Sequence, residues 1–352
     1  MKRFYYTYFR HTRKNSHLSY FLRSIIRYIM PQWYLNLRVR AIRRRYSRMT
    51  EEERRYVDDR VDYYCKFRDS ILLPEDAPQL RLFTYKQRES YVHDYVNSTY
   101  FFDAYEYIRY YPKHLRWAYN PGDVNYLFPV PEITKSRPVA SPPVGESAIP
   151  SQTNQNNVAS MVNGHCSMVN QNNILLNLDK VRHFTWIADP FSWEEKECRI
   201  LFRGDASNKP RRLRFIEMWK DHPWCDLVST GNMSLYDHLS YRYIMALEGN
   251  DVASNLKWVM SSNSAAVMPR PTCETWFMEE RLIPGYHYIE IAADYHDLID
   301  KISYYEAHPE EAKEIVEHAH QWCKQFHDKK REDLISVRVL DKYFHLTGQS
   351  LS

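Results

Sequence analysis

The chain has 352 residues, a net charge of +4, and 44% hydrophobic and 15% aromatic residues. This length exceeds one comfortable hydrophobic core, so two domains are expected. The six cysteines are scattered without a C-x-x-C pair, which argues against a disulfide scaffold or a zinc ribbon and favours a reducing compartment.

The N-terminal segment is strongly basic. Residues 1–50 hold 13 Lys or Arg and no Asp or Glu, whereas the remainder holds 35 basic and 44 acidic residues. The bases alternate with apolar and aromatic side chains at near-helical spacing, which favours a helix lying on an anionic membrane surface. A helix packed on its own domain with a solvated basic face is the alternative. Arg23 and Arg27 interrupt the apolar run, so neither a membrane span nor a secretory signal is predicted.

Three features follow before residue 173. Residues 50–68 are predicted to be helical, with Thr50 as the N-cap and three glutamates in the first turn. Residues 115–119 are predicted to form a short strand that stops at an Asn-Pro-Gly turn. Residues 141–172 are rich in Ser, Pro, Asn and Gln, which is typical of a mobile loop, with a lid over a site as the functional alternative.

The second half alternates strand-like and helix-like segments. Residues 199–202, 264–268 and 287–292 are predicted strands, each followed by helical sequence, and Pro309 opens a helix with an apolar stripe. This alternation predicts an α/β fold.

The common catalytic motifs are missing from the sequence. No two of the eight glycines have G-x-G spacing, and the chain has no D-x-D and no G-x-S-x-G. A Rossmann fingerprint, a Walker loop, a metal–diphosphate site and a hydrolase nucleophile elbow are therefore excluded. His318 and His320 lie at i and i+2, where their rings point to different helix faces, so no metal site is predicted.

A phosphate-binding arrangement remains possible after the strand at 199–202. Arg203 leaves this strand beside Gly204, and ligands of open α/β sheets bind at the carboxyl ends of strands. A guanidinium group matches phosphate oxygens bidentately, although an arginine after a strand is usually only solvated.

A second anion-binding element follows the strand near residue 245. A helix that begins near Asp251 would direct free backbone N–H groups toward an anion, and Lys257 would add a positive charge. The alternative is an ordinary helix N-terminus capped by Asn250 or Asp251.

A series of short motifs in this half carries a family signature. They are Phe202-Arg-Gly204, Tyr241-Arg-Tyr243, Glu248-Gly249, Ala253-Ser254, Lys257, Ser262-Asn-Ser264, Trp276-Phe277, Leu282-Ile-Pro284, Tyr286-His-Tyr288 and Asp297-Leu298. Their order and spacing resemble glycosyltransferase family 90, most strongly over residues 170–325. Residues 173–184 and 136–138 look most like its bacterial lipopolysaccharide glycosyltransferase branch.

The resemblance implies a GT-B fold, in which two Rossmann-like α/β domains face each other across a cleft. The expected segments are a basic arm at 1–50, an acceptor-side domain at 51–190, a nucleotide-sugar-binding domain at 191–325 and a helical tail at 326–352.

The resemblance also implies inverting transfer from a UDP-sugar to a hydroxyl of a lipopolysaccharide or related glycan, with no metal and no other cofactor. Such a protein would be cytoplasmic and peripheral at the inner face of the cytoplasmic membrane, with its arm on anionic lipid. The alternative from another class is a non-catalytic glycan- or polyanion-binding protein. No nucleic-acid recognition module is found, so no nucleic-acid partner is expected.

The donor-site residues that the resemblance implies lie mainly after two strands. They are Arg203, Gly204, Glu248, Gly249, Asn250, Asp251, Ser254, Asn255 and Lys257, with Arg182, Arg211, Arg212 and Glu274 as further candidates. Eukaryotic members carry an Arg where this chain has Asn255, so Arg203 and Lys257, with Arg211 or Arg212, would neutralise the diphosphate, or the donor would be bound differently.

The family's catalytic base is an Asp in the first domain, and Asp123 matches its position. It would deprotonate the acceptor hydroxyl as that hydroxyl attacks the anomeric carbon. The alternative is a structural Asp in a Pro-Gly-Asp turn, with Asp103 and Glu106 as the fallback carboxylates.

Overall fold

The computed structural model describes residues 15–73, 76–86, 98–139, 170–229 and 233–351. Nearly all of the predicted loop at 141–172, and residues 1–14 of the predicted arm, lie outside the described residues. Among the helices that are described, none is long and apolar enough to cross a membrane.

The described residues form helices and short strands throughout. The helices are α1 His17–Tyr28, α2 Gln32–Ser47, α3 Glu51–Tyr64, α4 Ser98–Ile108, α5 Lys180–His183, α6 Pro210–Trp219, α7 Leu235–His238, α8 Leu256–Met260, α9 Leu298–Ala307, α10 Pro309–Lys324 and α11 Lys329–Leu346. The strands are β1 Tyr119–Asn120, β2 Glu132–Thr134, β3 Ser136–Pro138, β4 Asn173–Leu175, β5 Glu197–Arg203, β6 Cys225–Val228, β7 Tyr241–Met245, β8 Ala265–Met268, β9 Cys273–Thr275 and β10 Ile289–Glu290. Short 3-10 turns lie at Leu80–Leu82, Asn170–Asn172 and Glu279–Arg281.

The chain divides into two compact units. The first comprises Met1–Met30, Asp179–Pro271 and Phe277–Glu332, and the second comprises Pro31–Leu178, Thr272–Trp276 and Asp333–Ser352. The predicted arm at 1–50 is therefore shared between the two units, and most of the predicted tail at 326–352 belongs to the second.

The first unit is built around a five-stranded sheet in the order β10-β8-β7-β5-β6, with all neighbouring strands parallel. Ile200, Leu201 and Phe202 are buried one after another in β5, as expected for a strand covered on both faces. The core also takes in Phe215 from α6 and Ile315 from α10. The α/β fold predicted from the sequence is confirmed.

The second unit contains a three-stranded parallel sheet in the order β1-β2-β4 and an antiparallel pair of β3 and β9. Helix α2 joins it through ion pairs to α11, with Arg43 at 2.6 Å from Asp341 and Arg38 at 3.8 Å from Asp333. Part of the basic segment is thus used within the fold.

Several local predictions hold. Helix α3 begins after Thr50 with a complete capping box to Glu53, and α10 begins at Pro309 and buries Ile315 and Ala319. The predicted strand at 115–119 is shorter and later, because only Tyr119 and Asn120 pair with β2.

Candidate functional site

The carboxyl-terminal edge of the five-stranded sheet gathers most of the predicted donor residues. Strand β5 ends at Arg203 and β7 ends at Met245, and these strands are direct neighbours in the sheet. The loops that follow them, at 204–209 and 246–255, therefore leave the same edge, which is where open α/β sheets bind ligands.

Arg203 is held in place while part of it stays accessible. Its guanidinium donates to the Oδ1 of Asp226 at 2.6 Å and to the Asp226 carbonyl at 2.7 Å, and its side chain keeps 11% exposure. The other carboxylate oxygen of Asp226 accepts from the Tyr241 hydroxyl at 2.6 Å. Partial burial acts to raise the pKa of Asp226, but the hydrogen bonds from Tyr241 and Arg203 outweigh it and lower that pKa. Arg203 is therefore preorganised as a cation at the strand end.

Arg212 joins the two loops. Its guanidinium donates to the carbonyl of Asp205 at 2.8 Å, of Leu247 at 2.7 Å and of Glu248 at 3.0 Å. A Cβ added at Gly249 would lie 3.1 Å from Nη2 of Arg212, so glycine at this position leaves room for the hydrogen bonds of Arg212. Arg212 therefore acts through the main chain of both loops.

The remaining loop residues differ in accessibility. Asn250 and Ser254 are exposed, Glu248 is half-buried, and Asp251 is buried. Arg211, whose side chain is 61% exposed, lies with its guanidinium 3.9 Å from the Glu248 carboxylate. Arg211 and Glu248 thus place one positive and one negative group at the accessible edge.

The helix predicted to begin near Asp251 begins later. Residues 249–252 form bends, with the Gly249 N–H donating to the Asp251 carbonyl, a turn follows at 254–255, and α8 starts at Leu256. The side-chain amide of Asn255 donates to the Met245 carbonyl at 2.9 Å and so ties this turn to the end of β7. A five-residue helix also supplies little dipole, so the predicted helix-terminus contribution at Asp251 is wrong.

Lys257 does not present its charge to solvent. It is fully buried, its ammonium donates to Glu279 at 2.7 Å, and it lies 5.2 Å from the centre of the Phe277 ring. Met278 adopts a left-handed backbone conformation just before Glu279, at φ 59°. The predicted role of Lys257 as an accessible second cation is corrected: in this fold its charge is neutralised inside the first unit.

Asp123 lies in the second unit, on the loop after β1. Lys135, whose side chain is 2% exposed, forms an ion pair with its Oδ1, and Tyr100 donates to the same oxygen at 3.4 Å. The next residue, Val124, is fixed by hydrogen bonds of its N–H and carbonyl with the Ser136 hydroxyl at 2.9 and 3.1 Å. The Asp123 side chain keeps 28% exposure, so an acceptor hydroxyl has room to reach its carboxylate.

The fallback carboxylates are less accessible than Asp123. Asp103 is 1% exposed and Glu106 is 3% exposed, both on helix α4. A general base must reach the hydroxyl that it deprotonates, so burial disfavours both residues.

Two further candidates serve local structure. Glu274 on β9 is fully buried and accepts from Arg137 at 2.7 Å, so its charge is paired inside the second unit, and its contact with the donor stays a prediction. Arg182 forms an ion pair with Asp179 at 2.6 Å, and about half of its side chain is exposed. It lies on α5, which comes before β5 in the chain, so it is not part of the loops that follow β5 and β7.

The sequence did not indicate the partners of these residues. Asp226 meets Arg203 through the pairing of β5 with β6, and Glu279 meets Lys257 from 22 positions away in the chain. Lys135, which holds Asp123, had a weak signal, because it comes at the end of a strand that pairs with the strand before Asp123.

The part of the chain that the structure describes contains no group of three or more His, Cys, Asp or Glu placed to hold a metal ion. Cys65, Cys225, Cys273 and Cys323 are buried thiols, and Cys198 is half-buried.

Comparison with known proteins identifies a family and several relatives. The model of "Glycosyl transferase family 90" matches residues 180–349. O-glucosyltransferase LpsA of Dichelobacter nodosus is 33% identical over 329 residues, covering 90% of this chain and 92% of the relative. Protein O-glucosyltransferase 3 of Homo sapiens is 26% identical over 43% of this chain and 33% of its own length. Protein O-glucosyltransferase 2 of Danio rerio is 29% identical over 35% of this chain and 28% of its own length.

Proposed function

Because this chain belongs to glycosyltransferase family 90, we propose that it is an inverting O-glucosyltransferase that uses UDP-glucose. The acceptor in this proposal is a hydroxyl of a lipopolysaccharide or related surface glycan. Glycosyl transfer follows from the family, and glucose is supported by the names of the three relatives. The proposal adds the nucleotide, the stereochemistry and the acceptor class.

The observation that carries the donor assignment is Arg203 at the carboxyl end of β5. Asp226 fixes its guanidinium without sealing it, and Arg212 joins the loop that follows Arg203 to the loop after β7. As UDP leaves, negative charge grows on the diphosphate, and a cation that is already oriented stabilises it without reorganising. Arg211 offers a second cation, and Glu248 can accept hydrogen bonds from sugar hydroxyls.

The proposed base is Asp123. Its carboxylate takes the proton of the acceptor hydroxyl while the hydroxyl oxygen bonds to the anomeric carbon and the bond from that carbon to UDP breaks. Lys135 and Tyr100 hold the carboxylate during this step. The GT-B organisation is part of the proposal, with the donor bound by the first unit and the base supplied by the second.

We further propose that the reaction needs no metal and takes place at the inner face of the cytoplasmic membrane. Arginines would supply the charge that a divalent cation supplies in D-x-D enzymes, and a lipid-linked acceptor would meet UDP-glucose at that surface. Residues 1–50 hold 13 bases and no acids, and those that are not ion-paired within the second unit, as Arg38 and Arg43 are, support contact with anionic lipid.

The direct test is release of UDP from UDP-glucose, UDP-galactose and UDP-xylose, with and without purified lipopolysaccharide core glycan. We expect acceptor-dependent release with UDP-glucose and the same rate in EDTA, and mass spectrometry of the glycan should show one added hexose. Lack of transfer from every donor would favour the non-catalytic binding alternative. Loss of activity in EDTA that Mg²⁺ restores would refute metal independence.

A further inference from the structure

Helix α1, His17–Tyr28, turns its apolar face to solvent. Five aliphatic side chains at spacings of three or four residues form one stripe, and each is 50–72% exposed. They are Leu18, Leu22, Ile25, Ile26 and Ile29, which directly follows the helix. A helix that packs on its own domain normally buries such a stripe, so this one faces away from the first unit.

The opposite face holds the helix on that unit. Ser24 is 4% exposed, and Tyr20 and Tyr28 on the same side are half-buried. Just before the helix, the side-chain amide of Asn15 donates to the carbonyls of Val181 at 3.2 Å and Phe184 at 3.0 Å. The apolar stripe is thus presented by a helix that is already fixed in orientation.

The charge around the stripe indicates what would cover it. Arg23 is exposed on the flank of α1, and residues 15–30 carry two arginines, Arg23 and Arg27, and no acidic residue. An apolar stripe bordered by cations matches an anionic bilayer, where acyl chains take the apolar side chains and headgroup phosphates take the bases. A protein partner would have to offer an apolar groove with acidic edges.

We propose that α1 lies in the surface of an anionic membrane, with Leu18, Leu22, Ile25, Ile26 and Ile29 inserted among the acyl chains and Arg23 at the phosphates. The helix lies in the interface and does not cross it. This inference assigns the membrane contact of the proposed function to a specific surface and depth. It rests on the proposed function only to explain why the protein contacts a membrane.

The test measures binding of the full chain to vesicles of phosphatidylglycerol with phosphatidylethanolamine, and to phosphatidylcholine vesicles. Replacing Leu22, Ile25 and Ile26 together by Gln should lower the partition coefficient on anionic vesicles by about tenfold or more, because insertion scales with buried apolar area. The replaced side chains are already exposed, so the unfolding temperature should stay unchanged. A matched control is Leu72→Gln with Ile283→Gln, which are 86% and 55% exposed elsewhere, and it should bind like the wild type.

Salt separates insertion from simple attraction. In about 0.5 M NaCl the attraction between exposed charges is largely screened, and the wild type should still bind more than the triple variant. Arg23→Gln should weaken binding mainly at low salt. Equal binding of wild type and triple variant to anionic vesicles would overturn the proposal. A concentration-dependent dimer that the triple variant loses, with vesicle binding unchanged, would instead assign the stripe to a second copy. UDP release with a soluble acceptor tests the proposed function separately, because it needs no membrane.

Discussion

Two ion pairs of the first unit share the same chemistry and differ in their access to water. Lys257 and Glu279 are sealed, with side chains 0% and 1% exposed, whereas Arg203 and Asp226 keep 11% and 21% exposure. Both nitrogen–oxygen distances are short, at 2.7 and 2.6 Å. The burial of the sealed pair favours a structural role, while the open pair can still meet a diphosphate.

The second unit repeats this contrast. Arg137 and Glu274 are completely buried, whereas Asp123, paired with the buried Lys135, keeps 28% exposure. A charged residue in a family motif can thus belong to either class, and solvent access separates the two. Substitution should therefore reduce activity at the open pairs and reduce stability at the sealed ones.

Asp123→Asn should have the largest effect. Removing the base should lower turnover about 10²–10⁴-fold, while UDP still raises the melting temperature as it does for the wild type. The carboxamide fills the same space but leaves the buried Lys135 without its counter-charge, so a lower melting temperature without ligand is expected, and the shift that UDP adds is the quantity to compare. Near-normal turnover of Asp123→Asn would show that another group accepts the proton.

Arg203→Ala should come next, with turnover reduced about 10²–10³-fold because a preorganised cation is lost at the leaving group. Its matched control is Arg214→Ala, since Arg214 is an exposed arginine on the neighbouring helix α6. Steady-state kinetics on both variants test the role of Arg203. If Arg203→Ala were as active as Arg214→Ala, Arg203 would not belong to the donor site.

Lys257→Ala should lower the free energy of unfolding by about 3–5 kcal/mol, because it leaves Glu279 buried without a compensating charge. The double variant Lys257→Met with Glu279→Leu should recover most of that loss. Lys313→Ala breaks pairs with the exposed Glu310 and Glu194 and should leave the free energy of unfolding nearly unchanged. Urea denaturation of the three variants measures these differences. If the double variant unfolded as easily as the single one, the pair would have a role beyond charge neutralisation.

Glu132→Gln should give a smaller, pH-dependent effect. Burial raises the pKa of Glu132 to about 7, and a hydrogen bond from Asn120 only partly opposes this. The native state therefore binds the proton more tightly than the unfolded state, so the wild type loses stability as the pH rises from about 4.5 to 7. Solvent screening of this half-buried group limits the gain of Glu132→Gln at pH 8 to about 1–2 kcal/mol, with little difference at pH 4. If the melting temperatures of Glu132→Gln and the wild type differed by the same amount at pH 4 and at pH 8, this assignment would be contradicted.

The sequence predicted what depends on local pattern. The apolar run at 199–202 and the capping signal from Thr50 to Glu53 appear in the structure as β5 and the start of α3. Both signals act within a few residues, where side-chain periodicity and a single cap decide the outcome.

Ionic partners were beyond such patterns. The partner of Lys257 is 22 residues away and is placed by the left-handed turn at Met278, and that of Arg203 depends on how β5 and β6 are aligned. The same limit explains α8: the side chain of Asn255 bonds back to Met245, which delays the helix predicted to begin near Asp251. Motif spacing located the residues but could not separate sealed charges from open ones.

The three hydrogen bonds of Arg212 have a consequence for redesign. Because one side chain holds the carbonyls of both loops, the two loops form a single transplantable part. Grafting residues 246–255 from a relative should therefore preserve the fold only if the graft has a glycine at position 249 and the recipient keeps Arg212.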